Sequence, residues 1–443
     1  MMQELCYKGR RHSISIFLIT CIVNLLVTGV AQSEETTGNW PAFQNAGESS
    51  LQTSDLPLTW APDTNVAWKA SLEGYGQSTP IISAGKIYVT SVSGDLKNKF
   101  HLAAFQLLDG QKLWQKSFDN PSPKENTPMT SRAAPSPVAD EQGCYAFFEG
   151  GILVALQRDG NLRWQRNLIE EYGKADARHG LASSLEQDDE RIYVWIERSE
   201  DPYVLAVEKE SGKNLWKVRG SGSTTWSSPR LINTDWGAQL VCSASGKIFA
   251  LDPNSGKRLW EFTEIANNTS CTPIPVGKNR FLIGASDGRG GDTGGGAEFN
   301  GVLEIEKQND GYQVGYVWKA DKASSSFGSP IVAAGNACII NRTGVLHRLD
   351  IETGEPVAVR RTDAGGIWAT PIVAGDRLYL FGQKGTTAVI SLTDGKELAE
   401  NRLWESGKEE SPFSGGPVLY AAAPAPPYLI LRRGDSIFAV KEK

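Results

Sequence analysis

The sequence predicts an all-β protein, an eight-bladed β-propeller of four-stranded antiparallel blades closed by pairing of N- and C-terminal strands in one blade. Three observations predict it. A strand, a tight turn and a new strand opening on Trp recur, with Gly four residues before Trp at Gly110/Trp114, Gly160/Trp164, Gly212/Trp216 and Gly256/Trp260. A Ser/Thr-Pro-aliphatic or similar triplet opens most units, and the units run about 40 to 50 residues, the period of a four-stranded blade. The two ends of the chain are incomplete in complementary ways: Asn65–Leu72 is a strand without a preceding unit, and 411–443 stops before its fourth strand.

In chain order, Lys8, Arg10 and Arg11 form a basic region ahead of an apolar run from Ile14 to Val30, and Gly29 and Ala31 are small. This is the pattern of a secretory signal peptide over 1–31 with cleavage after Ala31; retention as an N-terminal anchor is the alternative. Cys21 sits at the depth of a lipoprotein cysteine, but Thr20 before it is bulky. The expected location is therefore the periplasm or cell envelope, with no transmembrane segment after cleavage. Residues 32–60 read as a lead segment and 61–443 as the propeller.

The formal net charge is −6, and removing the net +2 of residues 1–31 leaves −8. No basic stripe remains for a phosphate backbone, which argues against a nucleic-acid partner. Four cysteines remain, Cys144, Cys242, Cys271 and Cys338, far apart and in expected strands. They are expected as buried thiols, although export permits a disulfide.

Pro tolerates the first position of a strand, where no ladder donor is lost. Units accordingly open at Thr79-Pro80, Ser136-Pro137, Ser228-Pro229, Thr272-Pro273, Ser329-Pro330, Thr370-Pro371 and Gly416-Pro417, and the third opens without Pro near Ser183-Ser184. Trp68 and Trp318 share the Trp register with Trp114, Trp164, Trp216 and Trp260, whereas Ala358 and Ala399 replace it in units six and seven. These six indoles are expected as structural packing, since an aromatic side chain buries about 150–250 Å². The stretch 287–301 reads as a Gly-rich loop whose spacing fits no calcium-binding nonapeptide.

The turn-plus-Trp repeat resembles the tryptophan-docking motif of pyrroloquinoline quinone (PQQ)-type β-propellers. Trp40–Gly47, Leu56–Trp60 and the run from Asn65 to Ile82 resemble the entry segment of exported PQQ-like repeat proteins of planctomycete-type bacteria. The eight-bladed ring is also similar to the propeller lipoprotein of the outer-membrane β-barrel assembly machinery. The resemblance covers nearly the whole chain after residue 31 and fixes fold more than activity. The quinoprotein dehydrogenases of this superfamily hold PQQ and calcium with a vicinal disulfide, a Glu/Asn/Asp set and a catalytic Asp. No Cys-Cys pair and no matching acid occur in this sequence. His101, His179 and His347 are too scattered for a histidine metal site. No catalytic residue and no metal ligand is assigned, and no cofactor is expected.

Loops ahead of the strand openings rim the central channel of a propeller. They carry Tyr75, Arg132, Arg178, His179, Trp226, Phe327, Trp368 and Phe413. Aromatic and Arg groups converging on one funnel suit a protein, peptide or polysaccharide partner; the competing reading is that these rings fill the channel. The expected function is a monomeric, non-catalytic, exported scaffold that binds a protein or polymer. The alternative is a PQQ-dependent oxidoreductase with a diverged site.

Overall fold

A computed structural model of the chain describes residues 38–442 apart from 129, 176, 178, 199, 223–224, 287–295, 326 and 406–416. The expected signal peptide and most of the Gly-rich loop lie outside the described residues. Eight sheets follow one another. Blade 1 comprises Ile81–Ser83, Lys86–Ser93, Lys99–Gln106 and Lys112–Asp119, hydrogen-bonded in that order. Blades 2 to 7 repeat the meander over 138–167, 186–219, 230–262, 274–319, 331–361 and 372–402. The first strand starts directly after Pro80, Pro137, Pro229, Pro273, Pro330 and Pro371, where a proline costs no ladder bond.

Blade 8 takes three strands from the C-terminal end, Leu419–Ala425, Tyr428–Arg433 and Ser436–Val440. Its outermost strand is Val66–Ser71, antiparallel to Ser436–Val440 with Trp68 opposite Ala439. The ring is thus an eight-bladed β-propeller closed by its two ends, which leaves only short outer edges.

The middle strands of each blade alternate two apolar faces, because both are covered by neighbouring blades. Thus Ile87, Val89, Ala103 and Phe105 pack toward blade 8, while Tyr88, Phe100, Leu102 and Ala104 pack toward Cys144, Ala146 and Val154 of blade 2. Cys144, Cys242, Cys271 and Cys338 are all free and buried. Burial raises each thiol above its usual range, to about 12 for Cys271 and Cys338, so they behave as small apolar side chains.

The indoles join blades rather than fill single blades. Each lies on the turn glycine of the following blade and donates its N–H to a carbonyl of that turn. Trp68 lies on Gly110 and donates to Leu107 O at 3.0 Å, and Trp114 lies on Gly160 and donates to Arg158 O at 3.0 Å. Trp164 on Gly212, Trp216 on Gly256 and Trp318 on Gly354 do the same, donating to Lys209, Pro253 and Ile351. A Cβ on Gly110 would come within 2.4 Å of the Trp68 ring, and at φ +71° the position already disfavours any other residue. Burying a ring in this way is worth at most about 4–6 kcal/mol by area.

Trp260 departs from the pattern. Blade 5 extends its last hairpin through Gly301–Gln308 and Gly311–Lys319, with no glycine turn at the required height. The Trp260 indole therefore donates to Gln239 Oε1 of its own blade at 2.6 Å and stacks on Phe281 at 6.3 Å.

Blade 1 also carries a titratable core group. His101 is 1% exposed, with Nε2 2.8 Å from Ser93 Oγ and Nδ1 2.8 Å from Ser117 Oγ. Burial lowers its pKa below the usual 6.5, and it lowers that of His347 in blade 6 as well. The unfolded chain then binds protons that the folded chain does not. The stability is present in full above pH 6.5 and is lost as the pH falls through the folded values. A His101→Gln variant is expected to lose less stability than wild type between pH 7.5 and 5.5 in urea melts. Parallel midpoint changes in the two proteins would show that His101 does not titrate with folding.

Candidate functional site

The two mouths of the channel are built differently. One is closed by the segment from Trp40 to Leu51, which crosses the ring axis. Trp40 exchanges both backbone hydrogen bonds with Ile82 of blade 1, and Pro41 accepts from Ala139 of blade 2. Arg230 of blade 4 donates to Phe43 O and Gln44 Oε1, each at 3.1 Å. Ser50 reaches Val332 of blade 6, and Ser50–Leu51 adds a short parallel strand to Val373–Ala374 of blade 7. Gly47 packs on Pro275 of blade 5, where a Cβ would lie 2.4 Å from the ring and φ is +97°; only glycine fits there. Arg230 is itself held by Glu186 at 2.8 Å, and both are 2% exposed. Burial raises the Glu186 pKa and lowers that of Arg230, so each charge depends on the other for its compensation.

Inside, the residues before the prolines form a belt. The backbone N–H of Thr79 donates to Ser136 Oγ at 2.9 Å, that of Ser136 to Ser184 Oγ at 3.0 Å, and that of Ser184 to Ser228 Oγ at 2.9 Å. Ser228 N–H then donates to Thr272 Oγ1 and Thr272 N–H to Ser329 Oγ, both at 3.0 Å. Gln44 of the crossing segment donates to the Thr370 hydroxyl at 3.0 Å.

The other mouth is aromatic. Trp226, Phe327 and Trp368 all line the same cavity of about 150 Å³, whose floor is Trp40, Phe43 and Gln44. Phe327 meets Trp368 edge-on at 6.0 Å, and Trp368 lies 6.0 Å from Tyr420. Tyr420 meets Tyr75 at 5.8 Å, their hydroxyls 3.0 Å apart. The Arg132 guanidinium sits 3.6 Å over the Tyr75 ring and donates to Tyr420 Oη at 3.3 Å. His179 lies 6.0 Å from Trp226. Six of the eight expected rim residues thus fall around this mouth, Tyr75, Arg132, His179, Trp226, Phe327 and Trp368. Arg178 and Phe413 lie outside the described residues. Phe327 is 38% exposed, and Trp226, Trp368 and Tyr75 are partly open, so the aromatic end retains solvent-facing apolar surface.

Tyr420, the belt hydroxyls and the floor residues Phe43 and Gln44 escaped the sequence reading. The repeated Ser/Thr before Pro is the signal that marks the belt. The floor has none, because its place is set by contacts with blades far along the chain. Behind Tyr75, Arg432 is fully buried, donating to Ser78 Oγ at 3.0 Å and Thr90 O at 2.7 Å. Burial pulls its pKa down to about 9.

The cavity lining contains no Asp, Glu, Lys, Arg or His among the described residues. Its volume is below the roughly 300–1,000 Å³ of small-molecule sites. Calcium takes six to eight oxygen ligands, carboxylates foremost, and a quinone cofactor needs charged or strongly polar partners. The residues present do not fit PQQ with calcium. The one grouping of three metal-capable side chains among the described residues, Asp363, Glu397 and Glu400, lies on blades 6 and 7 and away from this lining.

Comparison with known proteins follows the same lines. The model of the family described as outer membrane protein assembly factor BamB matches residues 58–184, 170–358 and 315–441. The chain belongs to this BamB family. Outer membrane protein assembly factor BamB of Shewanella oneidensis is 23% identical over 380 residues, covering 74% of this chain and 89% of that protein. Among solved structures, BamB from Moraxella catarrhalis superposes with a TM-score of 0.57 at 13% identity, over 85% of this chain and 96% of that one. The quinohemoprotein alcohol dehydrogenase of Comamonas testosteroni superposes with a TM-score of 0.59 at 13% identity, over 92% and 81%. At that identity both structures show the shared propeller and no shared chemistry.

Proposed function

We propose that the protein is a non-catalytic scaffold of the bacterial cell envelope that holds a segment of a partner protein at the aromatic mouth of its channel. The observation that carries this reading is the asymmetry of the channel. One mouth is sealed by the chain itself, while the other presents Trp226, Phe327, Trp368 and Tyr420 around a cavity whose described lining carries no charged side chain. Partly exposed aromatic groups beside an Arg are the composition of a protein-binding hot spot. The relatives' names place them in outer-membrane protein assembly, which supports an envelope protein as partner over a polysaccharide. The basic, apolar and small-residue pattern of 1–31 supports export to the periplasm with cleavage after Ala31. A single ring with both ends engaged supports a monomer. The lack of charged groups in the lining weighs against the PQQ-dependent oxidoreductase reading.

The test is the double change Trp226→Ser and Trp368→Ser. Pull-down of the envelope proteins retained by wild type is expected to fail, with the melting temperature within a few degrees, since rim residues support little core. A large fall in melting temperature with retention intact would mean that the rings fill the channel and bind nothing. In a parallel assay, addition of PQQ and Ca²⁺ is expected to give no dye-linked alcohol oxidation; a robust rate would revive the oxidoreductase.

A further inference from the structure

At one junction between blades the glycine turn is present and the indole that would cover it is missing. At five junctions an indole covers the turn glycine of the next blade, coming within 2.4–2.8 Å of a Cβ built on Gly110, Gly160, Gly212, Gly256 or Gly354. Gly395 of blade 7 belongs to the same kind of turn, with φ +70°, yet nothing lies within 4 Å of the same position. The residue that would supply the indole is Ala358 of blade 6. The cross-strand partner has changed with it. Ala104, Ala155, Ala206 and Ala439 stand opposite Trp114, Trp164, Trp216 and Trp68, but Arg348 stands opposite Ala358. Arg348 is 8% exposed, and its Nε has no hydrogen-bond partner among the described residues.

Exposed apolar side chains at this edge follow the repeat: Val357 and Leu398 hold the position that Leu113, Leu215 and Val317 hold in other blades, and Val359 adds to them. Val357, Val359 and Leu398 are 54%, 57% and 44% exposed. Arg360 keeps the turn in place by donating to Gly395 O, and it pairs with Glu397 at 3.7 Å. Glu397, Asp363 and Glu400 bring carboxylate oxygens within 4.8 Å of one another, and Arg360 on Glu397 and Arg402 on Glu400 offset two of the three charges.

We propose that the junction of blades 6 and 7 is an open receptor for a tryptophan side chain carried, next to lysine, on a segment of a partner protein. The chain itself shows five times which group such a turn accepts. At four of the five turns the indole acceptor is the carbonyl three residues before the glycine, and the matching carbonyl here is that of Leu392. An indole beside Ala358 gains this acceptor, the uncovered glycine and a cation–π partner in Arg348. The acidic cluster, three carboxylates against two guanidinium groups, selects a basic neighbour. This surface is separate from the channel mouth, and the inference stands independently of the function proposed for that mouth.

The probe is the peptide N-acetyl-Lys-(5-fluoro-Trp)-Lys-amide, followed by fluorine NMR as full-length protein is added. A saturable shift is expected with wild type, and none for a control in which the fluorine sits on Phe in place of Trp. Ala358→Trp supplies the indole from within. It is expected to raise the melting temperature by a few degrees and to weaken peptide binding at least tenfold. Trp226→Ser/Trp368→Ser is expected to leave peptide binding unchanged. Absence of a shift with wild type, binding that survives Ala358→Trp, binding lost only in the mouth variant, or a destabilised Ala358→Trp protein would each overturn the proposal.

Discussion

A chain that begins at residue 74 is expected to lose the closed ring and to aggregate or melt far below the full-length protein. The deletion removes Val66–Ser71, the fourth strand of blade 8, and bares the edge of Ser436–Val440. It also removes Trp40, Leu56 and Trp60, all buried in the cluster that joins blades 7, 8 and 1. Two buried tryptophans and a leucine amount to roughly 10 kcal/mol of area-based stabilisation. That is an upper bound, yet it is comparable with the whole 5–15 kcal/mol by which domains are stable. The open edge adds a template for strand exchange between molecules. Gel filtration and circular dichroism melts of the two chains decide the matter. A monomeric shortened chain with the wild-type melting temperature would mean that blade 8 closes without this strand.

The second large effect is expected at Trp216. Its ring is 8% exposed, covers Gly256 and donates to Pro253 O at 2.9 Å. Trp216→Ala removes that ring from between two blades and leaves a cavity, for a loss of about 3–5 kcal/mol. Trp260→Ala is expected to fall in the same range for a different reason, the loss of stacking on Phe281 and of the bond to Gln239. Hydrogen exchange adds a spatial signature, since Trp216→Ala should expose the amides of the Gly256 turn in the next blade first. Denaturant melts of either variant that superimpose on wild type would show that these rings do not hold the blades together.

The fold was legible because a propeller repeats its local rules. Gly-x-x-x-Trp marked the outer hairpin of a blade, Ser/Thr-Pro marked the start of its first strand, and the mismatched ends pointed to one shared blade. Each of these signals spans only a few residues. The partner of each indole was not legible, because the glycine that precedes a Trp by four receives the ring of the previous blade. The aromatic mouth was readable from equivalent positions, as Trp226, Phe327 and Trp368 each stand three residues before a proline. Tyr420 follows its proline and so fell outside that register. The closure of the opposite mouth by Trp40–Leu51 was not readable either. Its contacts reach Ile82, Ala139, Arg230 and Val373, and no local pattern encodes partners so far apart in sequence.

The direction of the indole contacts has a consequence for assembly. At five of the junctions one blade offers a ring and the next a glycine turn, so these blades join head to tail. Such heterologous contacts carry no count: repeated with a fixed rotation they close when the rotation divides the circle and run on as a helix when it does not. The same holds for the hydroxyl belt from blade 1 to blade 6, in which each blade donates a backbone N–H to the next. What makes this array finite is the split blade, whose two parts can meet only when the eighth unit returns to the first. A change that frees Val66–Ser71 from Ser436–Val440 would leave one molecule with a strand to give and a place to receive one, the two requirements for domain-swapped chains.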